Sequence, residues 1–166
     1  MRRTDRKTYQ ATSRTLLKMM PTPWSVMEFS SRVAHMRSRP VQVIDLDFAA
    51  ESGVSGAWQP TVKQDFIFVS DGAFGLRRDA IICHEIAHMT LGHTPADLGF
   101  AGNDATHDVM SMMLEASPAL ARKFLFRHDY DSRAESDAEH VATRVISAIV
   151  AGPVNGTARH VARSLL

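Results

Sequence analysis

The residues best suited to chemistry in this chain are His84, Glu85 and His88, in the run His84-Glu85-Ile86-Ala87-His88. The spacing is H-E-x-x-H. On a helix, residues four apart share a face, with side chains about 5–6 Å apart. Two imidazoles placed that way both reach one Zn²⁺ at about 2.0–2.1 Å. Glu85 is turned about 100° from His84, so its carboxylate stands beside such an ion and not on it. From there it can take a proton from an activated water and hand it to a leaving group. Ala80, Ile81, Ala87 and Leu91 share the histidine side of this helix, and Ile82, Ile86 and Met89 cover the other. The helix is therefore expected to be buried, and buried imidazoles and carboxylates need partners. A metal ion meets that need. Hydrogen bonds among themselves and to backbone are the alternative.

A catalytic zinc site takes a third protein ligand and keeps one position open. With a single cysteine and eight histidines in 166 residues, histidine and carboxylate must do most of that work. The stretch 133–142 offers Glu135, Asp137 and Glu139. With Glu135 as reference, Ala138, Ala142, Val145, Ile146 and Ile149 all fall within about 80° of it. Asp137, His140 and Arg144 point the other way. An unpaired carboxylate is out of place on an apolar face, so Glu135 is expected to be the third ligand. Alanines at 138 and 142 would let the two helices approach closely. Glu139, about 40° from Glu135, is either an acid that orients a histidine or an edge salt bridge.

His93 follows Gly92 and reads as a helix-terminal histidine favoured by the helix dipole, with ligation as its alternative. Cys83 lies about 100° from the histidine face and reads as packing. Tyr130, His128, His107 and His140 are candidate oxyanion donors, and nothing in the sequence selects among them.

Such side chains need a support. Residues 25–37 form an amphipathic pattern with Ser25 as N-cap and Glu28 three residues on. Stretches 41–48, 57–62 and 65–69 read as strands, with Gly53 and Gly56 marking a turn between the first two. A helix over 76–91 stops at Gly92. Residues 94–104 read as a loop, 105–116 and 118–127 as helices, and 134–150 as a helix ended by Gly152-Pro153. Met110, Met112, Met113 and Leu114 suit a helix core or the lining of a groove. The expected class is α+β: a zincin-like core with a small three-stranded, mostly antiparallel sheet packed on the H-E-x-x-H helix and a second ligand-bearing helix. Residues 1–23 read as a loose basic arm ending in a short helix, 24–151 as the zinc-binding domain, and 152–166 as a tail or short helix.

Composition narrows the function. Apolar residues make up 45% and charged residues 22%, as in a globular domain. A net charge of +1 argues against direct nucleic-acid binding. One cysteine excludes an internal disulfide framework and a cysteine-rich zinc finger. No apolar run is long enough to span a membrane, and the apolar cluster at 16–20 is too short for a signal-peptide core. A cytoplasmic protein is expected.

These motifs, His84-Glu-Ile-Ala-His88-Met-Thr-Leu-Gly-His93 followed by Glu135-x-Asp137-Ala138-Glu139-x-Val141-Ala142, resemble those of the ImmA/IrrE metallopeptidases. The likeness is to the short actinobacterial members and covers roughly residues 24–151. Asp137 and Val141 depart from the family pattern, which favours Glu or Gln and an aromatic residue there. The resemblance implies a zinc enzyme with His84, His88 and Glu135 as ligands and Glu85 as base. Some members cleave a helix-turn-helix repressor. The expectation is a gluzincin-type endopeptidase with one Zn²⁺ per chain, acting on one or few intracellular protein partners, foremost a transcriptional repressor. The alternatives are a non-catalytic zinc module that binds a transcription factor, and a metallohydrolase in peptide natural-product processing.

Overall fold

The structure, a computed structural model, describes residues 3–47, 55–93 and 132–152. Among the described residues are α1 (Arg3–Met19), α2 (Val26–Arg37), β1 (Val41–Leu46), β2 (Gly56–Pro60), β3 (Asp65–Ser70), α3 (Gly75–Leu91) and a last helix, α4 (Ser132–Ala151). The class is α+β. None of these helices is long and apolar enough to cross a membrane.

The sheet is mixed, which corrects the mostly antiparallel expectation. Its order is β1-β3-β2. β1 runs parallel to β3, from Val41 opposite Asp65 to Leu46 opposite Ser70. β2 runs antiparallel, from Gly56 opposite Val69 to Pro60 opposite Asp65. The cause lies in β3. Its Asp65–Val69 stretch is buried throughout, and the centre of a sheet is where such a strand loses least. The tight turn between Thr61 and Gln64, closed by the Thr61 N–H donating to the Gln64 carbonyl at 2.9 Å, forces β2 to lie antiparallel. β1 is left with the far side of β3. Alternation along a strand reports its faces and not its neighbour.

The start of the chain is a helix from Arg3 onward, not a loose arm. Its buried positions include Ser13 and Leu16, with Tyr9 partly buried one turn earlier, so an inward stripe recurs at spacings of four and three. The Ser13 hydroxyl donates to the Tyr9 carbonyl at 2.8 Å, which lets a polar residue occupy the stripe. This face packs on α4 and more lightly on α3 and α2. In α2, Ser25 is extended and its hydroxyl accepts the Glu28 N–H at 3.3 Å. The helix ends at Ser38 in the left-handed region with φ 52°.

α3 is held at both ends. Near its start, the Trp24 indole N–H donates to Asp79 Oδ2 at 2.8 Å. Near its end, Arg37 donates to the Met89 carbonyl and also reaches Asp65 Oδ2 at 3.1 Å. Arg39 Nε lies 3.1 Å from Asp65 Oδ1, and its guanidinium bonds the Thr61 and Gln64 carbonyls. Asp65 is fully buried. Two arginines thus tie the end of α2, the start of the central strand and the last turn of α3 to one carboxylate.

Several expectations lie outside the described residues: Gly53, the loop at 94–104, the helices at 105–116 and 118–127 with Met110, Met112, Met113 and Leu114, the candidates His107, His128 and Tyr130, and the tail beyond Gly152. Removing the buried Asp65 carboxylate takes the counter-charge from two partly exposed guanidiniums. Asp65→Ala is expected to cost about 3 kcal/mol or more of unfolding free energy in urea, with Arg37→Ala costing less because Arg39 still pairs the carboxylate. A loss under about 1 kcal/mol in Asp65→Ala, the value of an exposed ion pair, would contradict the bracing role.

Candidate metal centre

His84 and His88 project from α3, and Glu135 from the first turns of α4, and their donor atoms meet. His84 Nε2 lies 3.0 Å from His88 Nε2 and 3.2 Å from Glu135 Oε2. His88 Nε2 lies 3.3 Å from Glu135 Oε1. A tetrahedral ion with bonds of about 2.0–2.1 Å sets its ligand atoms about 3.3 Å apart, close to the spacing of the two imidazole nitrogens and of each from its nearer Glu135 oxygen. Glu135 Oε1 is also buried and makes no hydrogen bond. A carboxylate oxygen left that way costs free energy, and an ion held between the three residues would supply a partner. The three residues could hold a metal ion, and the donor set, two imidazoles and a carboxylate, suits zinc.

α3 is built to present these groups. Ile82, Cys83, Ile86, Ala87 and Met89 are all but fully buried, and His88 is 2% exposed. Burial pushes the Cys83 thiol up to about 12 with help from the Asp79 charge, so the cysteine beside the first histidine stays a neutral packing group. On α4 the deepest positions are Ala138, Val141 and Val145. Glu135 sits at the rim of that face, half-buried, where the carboxylate reaches sideways to α3. The small Ala134, Ala138 and Ala142 permit the close approach. Asp137 is not part of the donor group. His140 is exposed and stacks on Tyr9 with ring centroids 5.5 Å apart.

Glu85 lies beside these three residues and nearly buried. It is held by the edge of the sheet. Ser55 and Thr61 use their backbone groups toward β3, so alternation turns the Trp58 N–H outward. That N–H donates to the Glu85 carboxylate. Pro60 occupies another outward position, where a missing N–H is harmless. Gly56 faces the same helix: a Cβ there would fall 2.3 Å from Ile81 Cγ2 and 3.1 Å from Glu85 Oε1. Glycine is required by the approach of β2 to α3, and the expected turn at this residue is instead the first residue of the strand.

The electrostatics follow from crowding. Burial raises the Glu85 pKa above the ordinary carboxylate value, although His84, His88 and the Trp58 N–H pull it back. Burial likewise opposes charge on His84, but the Glu135 hydrogen bond and the charges of Glu85, Glu135 and Glu139 prevail and raise its pKa. For Glu135, burial is outweighed by its hydrogen bond to His84 and its pairing with the His88 ring, and its pKa falls to about 2.

Two further groups touch the histidines. Glu139 Oε2 lies 3.4 Å from His84 Nδ1, the position of an orienting acid, on a side chain that is 69% exposed. His93 Nδ1 lies 2.9 Å from His88 Nδ1, on the side of the ring away from the donor triangle, so it is not among the grouped donors. Gly56 and Trp58 are not legible in the sequence as site residues, and His93, with ligation as its alternative reading, meets His88 at its far nitrogen instead. Pro60 in a strand was the one sequence signal for a sheet edge here. No protein-family model, curated protein or solved structure matches the chain.

The depressed Glu135 pKa has a consequence for the metal-free chain. The unfolded carboxyl titrates near 4.5 and the folded one near 2, so Glu135 stabilises the fold above pH 4.5, and that contribution is lost as pH falls toward 2. Stability of Glu135→Gln should therefore fall less steeply over this range than wild type. Identical slopes in acid-unfolding curves would contradict the assigned pairing.

Proposed function

We propose that this chain is a zinc-dependent endopeptidase of the gluzincin type, in keeping with its resemblance to the ImmA/IrrE metallopeptidases. One observation carries the reading: two imidazole nitrogens and a carboxylate converge at metal-ligand spacing, and a buried carboxylate is fixed beside them by a backbone N–H. A hydrogen-bonded histidine cluster would not call for the second carboxylate. Hydrolysis of a peptide bond does.

His84, His88 and Glu135 are the residues that would hold one zinc ion per chain. When bound, zinc polarises a carbonyl and lowers the pKa of water. The remaining work falls to the protein. Glu85 accepts the proton of the attacking water and transfers it to the departing amine. Its burial favours the protonated form that the second transfer needs, and the Trp58 N–H keeps the carboxylate aimed while it changes state. Glu139 holds His84 by its far nitrogen. The substrate proposed is one or few intracellular proteins, with a helix-turn-helix repressor as the first to try. The near-zero net charge favours control of genes through a protein partner over a grip on DNA.

The test uses the full chain. Wild type should bind about one zinc and cut a helix-turn-helix regulator at defined bonds, followed by mass spectrometry. Glu85→Gln should retain the metal and lose cleavage by about 10²-fold or more, and His84→Ala should lose the metal. Cleavage that persists in Glu85→Gln would overturn the base assignment. Binding of the regulator without product in wild type would favour a non-catalytic zinc module.

A further inference from the structure

We propose that His93 is a positioning residue for His88: its Nδ1 accepts the His88 Nδ1–H and thereby fixes the tautomer and ring angle in which His88 Nε2 faces the metal. This rests on the zinc reading above and adds to it a residue that is neither ligand nor base.

The backbone explains why this pairing forms. α3 ends at Gly92, in the left-handed region with φ 74°, where a side chain would be strained. That reversal turns the chain back on the last helical turn. The Gly92 and His93 N–H groups both donate to the His88 carbonyl, the second at 3.2 Å. The His93 ring is thereby delivered to the His88 ring, with Nδ1 atoms 2.9 Å apart, centroids 5.0 Å apart and planes inclined by 62°. His88 and His93 are thus joined by backbone as well as by their rings.

Chemistry sets the direction of the ring–ring bond. A neutral imidazole has one N–H and one lone pair. If His93 donated, His88 would carry its own proton on Nε2 and present no lone pair to the Glu135–His84 side. If His88 donates, Nε2 is free to ligate. Only the second arrangement is compatible with the donor triangle. A metal-ligating histidine characteristically gives its other N–H to an acceptor that holds the ring in place. His88 is 2% exposed, so water is a poor substitute. The two ligands are held by different chemistry: Glu139 faces His84 Nδ1 at 3.4 Å from a largely exposed side chain, and His93 faces His88 Nδ1 at 2.9 Å from the turn that ends the helix.

Zinc affinity, measured by chelator competition at one fixed pH, separates this role from packing. His93→Leu keeps bulk and removes the acceptor, and His93→Asn places an amide oxygen near the lost Nδ1. The Leu variant should bind zinc about tenfold or more weakly, and the Asn variant should recover most of the loss. In zinc-loaded, ¹⁵N-labelled wild type, scalar coupling between the His88 and His93 Nδ1 atoms should be observed across the hydrogen bond. Wild-type affinity in His93→Leu would overturn the proposal while leaving the zinc site standing. Equal weakening in both variants, or no coupling, would also overturn it. A wild-type chain that takes up no zinc would instead bring down the metal reading, and this inference with it.

Discussion

Four ionisable side chains crowd into one corner between α3 and α4, and their need for a common partner governs the rest of the molecule. His84, His88, Glu85 and Glu135 meet where two imidazole nitrogens, 3.0 Å apart, each face one oxygen of the Glu135 carboxylate at 3.2 and 3.3 Å. Such groups cannot be taken out of water singly without a large penalty. Mutual pairing offsets part of the cost, which is why Glu135 is pulled down and His84 pushed up. It does not satisfy Glu135 Oε1, which stays buried without a hydrogen bond. A divalent cation held there would balance the negative charge and use the unpaired lone pairs at once.

The surrounding fold holds that corner still. α3 is fastened to its neighbours by the Trp24–Asp79 bond at one end and the Arg37–Asp65 brace at the other, and its histidines stand between these points. Glycine at 56 lets the strand edge reach the helix, and the outward Trp58 N–H then aims Glu85. Alanines on α4 bring Glu135 across. These contacts fix the backbone of α3 and the approach of α4, from which the site's side chains project, and the Trp58 N–H bonds Glu85 directly.

Much of this was legible in the sequence because the relevant physics is local. The i, i+4 spacing of His84 and His88 and the stop at Gly92 are properties of one helix, and α3 runs Gly75–Leu91. The phase of Glu135 against Ala138 and Ala142 is likewise local, and it brings Glu135 to the two histidines, though from the rim of its face. What could not be read depends on partners distant in the chain. The residues of β1 marked a strand but not its parallel direction beside β3, because direction is set by the connections and the neighbouring strand. The polar start of the chain concealed a helix: its inward stripe uses Ser13, whose hydroxyl is satisfied by its own backbone, and a hydropathy pattern does not register that. Gly56 read as a turn because its close approach to Ile81 exists only once β2 and α3 are packed. His93 read as a helix-end charge because its ring reaches His88 only after the left-handed turn.

The central claim is that one metal ion belongs between His84, His88 and Glu135. Diffraction from crystals of the full chain grown with equimolar zinc, recorded on both sides of the zinc absorption edge, tests it most directly. The account predicts a single anomalous peak about 2.0–2.2 Å from His84 Nε2, His88 Nε2 and a Glu135 carboxylate oxygen. No peak there, or zinc bound instead by other residues, would contradict it.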